Sequence, residues 1–333
     1  MKVNKVLVLT DHSGHSTENS IYSLLKEMLL HPQCKSVHVV SRGLEINRNF
    51  FYDMNDKSIY GVEIDQNFRF TADGHCYSTG LENVKTSDFD LVFMRLPRPV
   101  SDAFLICLSE IFNHAVIINN PKGIIETSSK EYLLSFSNLC PPIQMCNTLN
   151  DVYAFAKAFP IVLKPLRAYG GQGILKIDGD KVDDGKEIHD IGTYFQDGSN
   201  FDPEGYIGMK YLKNVSKGDK RILVVNGQIM ATSLRLPPEN SWLCNVAQGG
   251  KSVPSEVTPE EEDIVRQISR DLKNKGVLIY GVDTLTNDDG IRVLSEINTL
   301  SIGGFPQAER QSGNRIINQT IQKIFDYVND TGK

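Results

Sequence analysis

Residues 161–173 read Ile-Val-Leu-Lys-Pro-Leu-Arg-Ala-Tyr-Gly-Gly-Gln-Gly. Their apolar start predicts a short buried strand that ends at Lys164. Gly170, Gly171 and Gly173 follow in what we expect to be a mobile loop. Because glycine allows positive φ and close backbone approach, successive N–H groups there can turn toward an anion. The segment therefore favours a polyphosphate site, and a structural lysine before a flexible hairpin is the alternative.

Two common phosphate-binding motifs do not fit this segment. A Walker loop would end in Gly-Lys-Ser or Gly-Lys-Thr, and neither follows the glycines. The Rossmann fingerprint requires a helix at its last glycine, whereas residues 174–177, Ile-Leu-Lys-Ile, predict another strand. The loop thus indicates a nucleotide site of another kind.

Length and composition indicate a globular enzyme with more than one domain. The 333 residues exceed what one core usually supports, so we expect two or three domains. Contents of 40% hydrophobic and 23% charged residues are common among globular enzymes. A net charge of −6 argues against non-specific nucleic-acid binding, and no apolar run approaches the roughly 20 residues that span a bilayer. We therefore expect small-molecule substrates, and neither nucleic acid nor membrane as a partner.

The cysteines and histidines offer no strong metal motif. The six cysteines are scattered without C-x-x-C spacing, which together with the missing secretory leader favours reduced thiols and a cytoplasmic location. His12 and His15 form a close i, i+3 pair. A polar loop is favoured over a metal site for this pair.

The N-terminal part predicts a small α/β domain with a parallel sheet. Its predicted strands and helices alternate at 5–10, 17–30, 37–40, 91–94, 101–113 and 115–118. Arg95 and Arg98 follow the predicted strand at 91–94. Open parallel sheets bind ligands at such carboxyl ends of strands. They either grip a substrate carboxylate in bidentate fashion or belong to a solvated basic loop.

Beyond this domain, two capping-box patterns and one hairpin signal organise the chain. Ser128 and Glu131 predict a helix to about residue 139, with Lys130 in its first turn, where a cation opposes the helix dipole. The segment Thr258-Pro-Glu-Glu261 predicts a second helix with proline at its first position. Between them, Asn226-Gly227 predicts a tight hairpin whose return strand carries Arg235.

Three oxygen-bearing side chains near the C-terminus suggest a cation site. Glu296 and Asn298 lie two residues apart on a predicted strand, so they share a face. If Thr286 pairs with Ile291, Asp283 lies on the same face, diagonal to Glu296 and within about 7–8 Å between Cα atoms. Two carboxylates and an amide suit Mg²⁺. A polar exposed face is the alternative, although burying two carboxylates without a cation would be costly.

Together these segments resemble the ATP-grasp ligases, and most closely the bacterial glutathione synthetases. The resemblance covers nearly the whole chain. It is carried, in the order the family has them, by Leu-Lys-Pro-Leu at 163–166 with Gly170-Gly171, by residues 217–227, by Arg235-Leu-Pro237, by Asn245 with Gly249-Gly250, and by Ser295-Glu-Ile-Asn298.

The resemblance implies a fold of mixed α/β and α+β class. It divides the chain into an N-terminal α/β substrate domain at 1–122, a central ATP-grasp subdomain with a glycine-rich lid loop at 123–207, and a C-terminal subdomain with the metal site at 208–333. The implied reaction is ATP-dependent joining of a carboxylate and an amine through an acyl phosphate, most closely γ-glutamylcysteine with glycine. Another amino-acid or peptide pair is one alternative, and a non-catalytic nucleotide-binding regulator is another.

The resemblance also assigns site residues, and it implies ATP as a substrate with Mg²⁺, for which Mn²⁺ is expected to substitute. The nucleotide residues are Lys130, Lys164, Gly170, Gly171, Gly173, Met209, Lys210, Tyr211, Leu212 and Asp219, with the stretch 209–212 beside the adenine. The metal ligands are Asp283, Glu296 and Asn298. Arg95, Arg235 and Asn245 face the substrate, and Arg235, Lys164 and Asn245 are catalytic. A homodimer or homotetramer is a further expectation.

Three segments depart from the family pattern. Met94-Arg-Leu-Pro-Arg-Pro99 stands where the family usually has Met-Arg-Lys-Asp-Pro-Pro, and Leu243-Cys-Asn245 stands where it has Arg-Gly-Asn. Thr299-Leu-Ser-Ile-Gly-Gly-Phe-Pro306 replaces the usual Val-Thr-Ser-Pro. All three lie where the resemblance places the substrate, so they bear on substrate choice and not on the use of ATP.

Overall fold

The computed structural model describes residues 4–55, 58–196, 198, 200–238, 242 and 251–331. The strands are β1 (Asn4–Thr10), β2 (Cys34–Ser41), β3 (Tyr60–Glu63), β4 (Glu82–Asn83), β5 (Leu91–Arg95), β6 (Val116–Ile118), β7 (Ile143–Cys146), β8 (Ile161–Pro165), β9 (Leu175–Asp178), β10 (Lys181–Asp183), β11 (Ile188–Asp190), β12 (Tyr206–Lys210), β13 (Asp219–Val225), β14 (Gln228–Leu236), β15 (Lys251–Pro254), β16 (Ile279–Thr286) and β17 (Arg292–Asn298). The helices are α1 (Ser20–Leu30), α2 (Arg48–Phe51), α3 (Asp102–Ile111), α4 (Pro121–Thr127), α5 (Leu149–Ala156), α6 (Ile191–Tyr194), α7 (Pro259–Asn274), α8 (Phe305–Ser312) and α9 (Ile316–Thr331).

The N-terminal sheet has the strand order β4-β3-β2-β1-β5-β6. Its four strands β2, β1, β5 and β6 run parallel, which confirms the predicted βαβ opening. Alternate residues of β1 enter two different cores, one shared with α1 and α9 and one shared with α3. Because helices cover both faces, the strand reads as a continuous apolar run. The carboxyl ends of β1 and β5 therefore lie at one edge, where the chain turns into polar residues.

Two antiparallel sheets follow. The central sheet has the order β11-β10-β9-β8-β12-β7, and the C-terminal sheet has the order β15-β14-β13-β16-β17. Helix α7 packs its apolar side chains on one face of the C-terminal sheet. The opposite face of β13, β16 and β17 carries the charged residues described below. Among the residues that the structure describes, no helix combines the length and apolar character needed to cross a membrane.

The helix predicted from Ser128 is wrong in its start and in its type. Residues 121–127 already form α4, which is capped by Asn120 through hydrogen bonds from the N–H groups of residues 122 and 123. Ser129, not Ser128, then caps the next segment by accepting from the N–H of Glu131. That segment, residues 130–139, is a 3₁₀ helix with a break at Phe136. Lys130 is therefore the first residue of a 3₁₀ helix and does not lie in the first turn of an α-helix.

The second capping box is confirmed, and its glutamate serves a wider network. The Glu261 carboxylate accepts from the N–H of Thr258 at 3.0 Å and from Thr284 Oγ1 at 2.6 Å. It also accepts from Lys220 Nζ at 2.8 Å, and the side chains of Lys220 and Glu261 are only 7% and 0% exposed. A buried ion pair loses much stability when one partner is removed, because the other charge is left without compensation.

We expect Glu261→Gln to lower the free energy of unfolding by about 3 kcal/mol or more, since the ammonium of Lys220 stays buried without its counter-ion. Urea unfolding measures this difference. The matched control is Glu260→Gln, which changes an exposed neighbour in the same helical turn. Equal unfolding midpoints for the two variants would show that the buried pair contributes nothing.

Candidate active site

A cleft of about 850 Å³ lies between the central and the C-terminal sheets. Strands β8 and β12 form one wall, and β13, β16 and β17 form the other. Of the residues that the sequence assigns to nucleotide or metal, those that line the cleft are Lys130, Lys164, Gly171, Met209, Lys210, Tyr211, Leu212, Asp219, Asp283 and Glu296. Residues from three separate parts of the chain thus meet at one place.

The glycine loop after β8 has the backbone conformation that its sequence predicts. Gly170, Gly171 and Gly173 all have positive φ, at 65°, 82° and 66°. At Gly173, a Cβ atom would lie 3.1 Å from Cγ of Pro165, so a larger residue would press on the strand end. Ala168, Tyr169, Gly171 and Gln172 of this loop line the cleft, and the carbonyl of Ala168 contacts Lys130.

Two buried lysines point into the cleft. Lys164 is 9% exposed and donates to both the carbonyl and the hydroxyl oxygen of Ser295, each at 3.0 Å. Lys130 donates to the carbonyl of Ala168 in the glycine loop, and its Nζ lies 3.7 Å from Oε1 of Glu296. Burial lowers the pKa of Lys130, and the nearby Glu296 carboxylate opposes part of this shift. The two ammonium groups are thus held between the loop and the predicted metal face.

The strand register brings Asp283 and Glu296 closer than predicted. Thr286 pairs with Arg292, not with Ile291, and an irregularity between residues 283 and 284 shifts the register by one residue. Asp283 is therefore directly opposite Glu296, and the predicted diagonal arrangement is wrong. Directly opposed residues share a face of the sheet. Asp283 and Glu296 both line the cleft, whereas Asn298, which pairs with Gly281, is not among the lining residues.

Asp283 is neutralised by two arginines. Its carboxylate accepts from Nη2 of Arg221 and from Nη2 of Arg235, each at 2.8 Å, and the residue is 2% exposed. Burial alone would raise the pKa of Asp283, but Arg221 and Arg235 outweigh it and lower the pKa to about 2. Arg235 also forms a bidentate pair with Asp219, at 2.7 and 2.6 Å. We call Asp219, Arg221, Arg235 and Asp283 the charged cluster.

Arg221 is not among the site residues predicted from the sequence. A signal was available, because Asp219 and Arg221 are two residues apart on β13 and so share one face. In the structure this face is also that of Arg235 and Asp283, which pair in register with Asp219 and Arg221 respectively. The period-two pattern of the strand would therefore have placed Arg221 beside Asp283, one of the predicted metal ligands.

Residues 129–313 match the family model described as the ATP-grasp domain of prokaryotic glutathione synthetase. This stretch is more than half of the chain. The chain belongs to the prokaryotic glutathione synthetase family. The predicted ATP-grasp fold and the predicted class, an ATP-dependent carbon–nitrogen ligase, are confirmed by this membership. The ATP-grasp ligase PsnB, which is similar in fold with a TM-score of 0.53, 12% identity and coverage of 98% and 99%, has been solved with Mg and ADP.

Individual relatives agree with the family match. The glutathione synthetase of Agrobacterium fabrum is 28% identical over 264 residues, which cover 78% of this chain and 79% of that protein. The glutathione synthetase of a Nostoc species is 32% identical over 244 residues, covering 71% and 70%. Among solved structures, D-cycloserine synthetase DcsG is similar in fold, with a TM-score of 0.66, 12% identity and coverage of 97% and 99%.

The end of the cleft where the family resemblance places the adenine, at residues 209–212, is apolar and aromatic. Val162, Ile174 and Leu285 line the cleft beside Met209. Tyr211 follows β12, and its N–H donates to the carbonyl of Pro160 at 2.8 Å.

Two further residues at this end were not predicted from the sequence. Nζ of Lys176 lies 4.3 Å from the centroid of the Tyr211 ring, and the indole of Trp242 meets that ring edge-on at 6.2 Å. Lys176 follows the glycine loop in β9 and pairs with Val162, so the strand pairing could have located it.

Arg95 and Asn245 are the remaining residues predicted to bind the substrate. Arg95 ends β5, is 8% exposed and donates to the carbonyl of Ile302 at 2.6 Å. Burial lowers the pKa of Arg95 to about 10. Arg95 thus joins the N-terminal sheet to the segment that follows Asn298, and it does not line the cleft. Asn245 lies outside the described residues.

The histidine pair after β1 has hydrogen-bond partners typical of a polar loop. Nδ1 of His12 lies 2.6 Å from Oγ of Ser41. His15 lies 3.1 Å from the hydroxyl groups of both Tyr22 and Tyr77 through its Nδ1. Burial lowers the pKa of His15 to about 4, from its ordinary value of 6.5. His15 is therefore neutral at pH 7.

This shift predicts a pH-dependent stability. Between pH 6.5 and about 4 the unfolded chain binds a proton at His15 that the folded chain does not, so stability falls as pH falls through this window. We expect His15→Gln to show a shallower decline, measured as urea midpoints at several pH values. His114→Gln, which changes an exposed histidine, should keep the wild-type slope. Identical slopes in His15→Gln and the wild type would contradict the assignment.

Proposed function

We propose that the chain is a glutathione synthase, which joins γ-glutamylcysteine to glycine and converts ATP to ADP and phosphate. The observation that carries this proposal is the facing of Lys130 and Lys164 against the Asp283–Glu296 pair in a chain of the glutathione synthetase family. Cationic groups opposite a metal face are what transfer of a phosphoryl group requires.

The reaction follows from the weakness of a carboxylate as an electrophile. The cysteine carboxylate of γ-glutamylcysteine attacks the γ-phosphorus of ATP, giving an acyl phosphate and ADP. The neutral amine of glycine then attacks the acyl carbon, the C–N bond forms, the bond to the phosphate oxygen breaks, and the amine loses a proton. No side-chain nucleophile is required. A loop that excludes water is required, because water would hydrolyse the acyl phosphate.

Asp283, Glu296 and Asn298 are the residues we propose as ligands of Mg²⁺. Their donor set is oxygen only, which suits Mg²⁺ and also Mn²⁺. Asn298 would bind the ion through Oδ1, since the amide nitrogen is a hydrogen-bond donor and not a ligand. When bound, the ion offsets negative charge on the phosphate oxygens during transfer.

We propose that the lysines and Arg235 stabilise the negative charges that the metal ion does not offset. Lys164 and Lys130 would bind phosphate oxygens of ATP from beneath the glycine loop. Arg235 is held rigidly by Asp219 and Asp283, and we propose that it stabilises the acyl phosphate and the oxyanion that follows. Asp219, predicted as a nucleotide residue, would position Arg235, whose guanidinium it holds in a bidentate pair.

We propose that Arg95 and Asn245 bind the substrate. Arg95 contacts the segment 299–306, one of the three that depart from the family pattern. This contact favours a second candidate, in which the same chemistry joins another acid and amine.

The scattered cysteines support a cytoplasmic location. A homodimer or homotetramer stays a prediction.

Phosphate release with a panel of acid and amine pairs separates these candidates. We expect release to require γ-glutamylcysteine and glycine together, with glutathione formed in equal amount. Release with a different pair, and none with this one, would favour the second candidate. ATP binding without release for any pair would favour a regulatory protein.

A further inference from the structure

Three metal-ligating side chains meet at the edge of the N-terminal sheet, outside the active-site cleft. His38 is on β2, Glu63 on β3 and Glu82 on β4. His38 pairs directly with Glu63, and Glu82 pairs with Gly61, two residues before Glu63. By the period of two along a strand, all three side chains lie on one face of the sheet. Three neighbouring strands thus each supply one ligand-type group.

The distances within this group, which we call the edge triad, are close to those of a metal site. Nε2 of His38 lies 3.2 Å from Oε1 of Glu82 and 3.7 Å from Oε2 of Glu63. One ligand atom from each residue lies within 4.8 Å of the other two. Bonds of 2.0–2.1 Å in a tetrahedral zinc site place ligand atoms about 3.3–3.4 Å apart. A rotation of the exposed glutamates closes the remaining difference.

Burial and charge in the edge triad favour a cation. His38 is 9% exposed, with the Phe89 ring packed at 5.3 Å, so the imidazole is fixed in place. The side chains of Glu63 and Glu82 are 59% and 57% exposed, which leaves room for an ion to enter and keep a water ligand. Among the described residues, neither carboxylate has an ion-pair partner other than His38. One imidazole carries at most one positive charge, so it does not offset the charge of two carboxylates.

The ring nitrogen on the far side of His38 adds a second observation. Nδ1 of His38 is buried and has no hydrogen-bond partner among the described residues. Without an ion, the N–H of Nε2 donates to the Glu82 carboxylate. When Nε2 binds an ion, the ring proton moves to Nδ1, where no existing contact has to be broken.

We propose that the edge triad binds one divalent transition-metal ion, with Zn²⁺ as the best fit. One imidazole, two carboxylates and a water form a four-ligand set that suits Zn²⁺, whereas Mg²⁺ and Ca²⁺ prefer oxygen ligands throughout. The ion ties the two-residue strand β4 to β2 and β3, so its effect is on the stability of the N-terminal sheet. None of the three residues lines the cleft of the ligase.

Zinc binding to the intact protein tests this proposal. Zinc alone is the probe, added by equilibrium dialysis in excess Mg²⁺ so that the oxygen-ligand site is occupied. The variants are His38→Gln and Glu82→Gln, and the control is His114→Gln, an exposed histidine elsewhere in the same sheet domain. We expect the wild type and the control to bind one zinc ion more than His38→Gln, and Glu82→Gln to bind it at least about tenfold more weakly.

Two further readouts distinguish a built site from a structural histidine. Zinc should raise the unfolding midpoint of the wild type and of His114→Gln, but not of His38→Gln, because an ion that binds only the folded state stabilises it. The imidazole NMR signals that are missing from His38→Gln should shift on zinc addition in the wild type. All variants should keep ligase activity. If Glu82→Gln and the wild type bind zinc equally, or if the His38 signals do not move, the edge triad is not a metal site.

Discussion

Replacing Glu296 with Gln should remove most turnover and leave the fold intact. Glu296 lies directly opposite Asp283 on the face proposed for Mg²⁺ and is half-exposed to the cleft, so the substitution changes charge with almost no change in shape. A metal ion contributes several kcal/mol to phosphoryl transfer. Since about 1.4 kcal/mol is one decade in rate, we expect a loss of about 10²- to 10³-fold.

The metal dependence of Glu296→Gln makes this result specific. The variant should need a higher Mg²⁺ concentration for half-maximal rate, and Mn²⁺ should restore part of the activity. The matched control is Glu262→Gln, an exposed glutamate on α7. Since Glu296 also pairs with Lys130, ATP affinity is measured alongside. A loss of turnover with an unchanged Mg²⁺ requirement would assign Glu296 to the orientation of Lys130 and not to the metal.

Replacing Lys164 with Met should abolish acyl phosphate formation and weaken ATP binding. Lys164 ends the buried strand β8 beneath the glycine loop, and Met keeps the length of the side chain without its charge. Charge-assisted hydrogen bonds contribute about 1.5–3 kcal/mol each, so the loss of one to a phosphate oxygen corresponds to about ten- to a hundredfold in affinity. Lys157→Met, at the exposed end of α5, is the control.

Trp242 provides the measurement for Lys164→Met. It is the single tryptophan of the chain and lines the cleft, so its fluorescence should change when a nucleotide binds. We expect the ATP titration curve to move to higher concentration in Lys164→Met and to stay in place in Lys157→Met. An unchanged curve in both, with normal unfolding midpoints, would return Lys164 to a structural role as the partner of Ser295.

Local patterns predicted those parts of the molecule that local chemistry determines. The glycine loop, the Asn226-Gly227 hairpin and the Thr258 capping box each depend on neighbours within a few residues, and each is present. The pairing of Asp283 with Glu296 was missed because a strand irregularity has no clear local signature. The side-chain period still placed the two carboxylates on one face of the sheet. The proposal that both are metal ligands therefore does not depend on the predicted register.

Contacts between segments that are distant along the chain could not be predicted from the sequence. Asn119 accepts from the N–H groups of residues 278 and 279, both at 2.9 Å, and donates to the carbonyls of Ile279 and Thr299 at 2.6 and 2.8 Å. This one amide joins the N-terminal sheet to the strand that carries Asp283. In the sequence it lies in an unremarkable Asn-Asn-Pro turn, because its four partners are about 160–180 positions away.

The helix error at Ser128 has a different cause. Ser128 and Ser129 are adjacent, and either can act as a cap from its residue type alone. The choice depends on α4, which begins at Pro121 after its Asn120 cap and runs to Thr127. The three-dimensional position of Lys130 follows from that helix, and only the structure shows that its ammonium reaches the glycine loop.

Isotope transfer is the most direct test of the proposed reaction. γ-Glutamylcysteine labelled with ¹⁸O in its cysteine carboxylate is incubated with ATP, Mg²⁺, glycine and the enzyme, and the released phosphate is analysed by mass spectrometry. An acyl phosphate intermediate moves one carboxylate oxygen to phosphorus, so we expect one ¹⁸O atom in each phosphate released, with glutathione formed in equal amount. Glutathione formed together with unlabelled phosphate would contradict it.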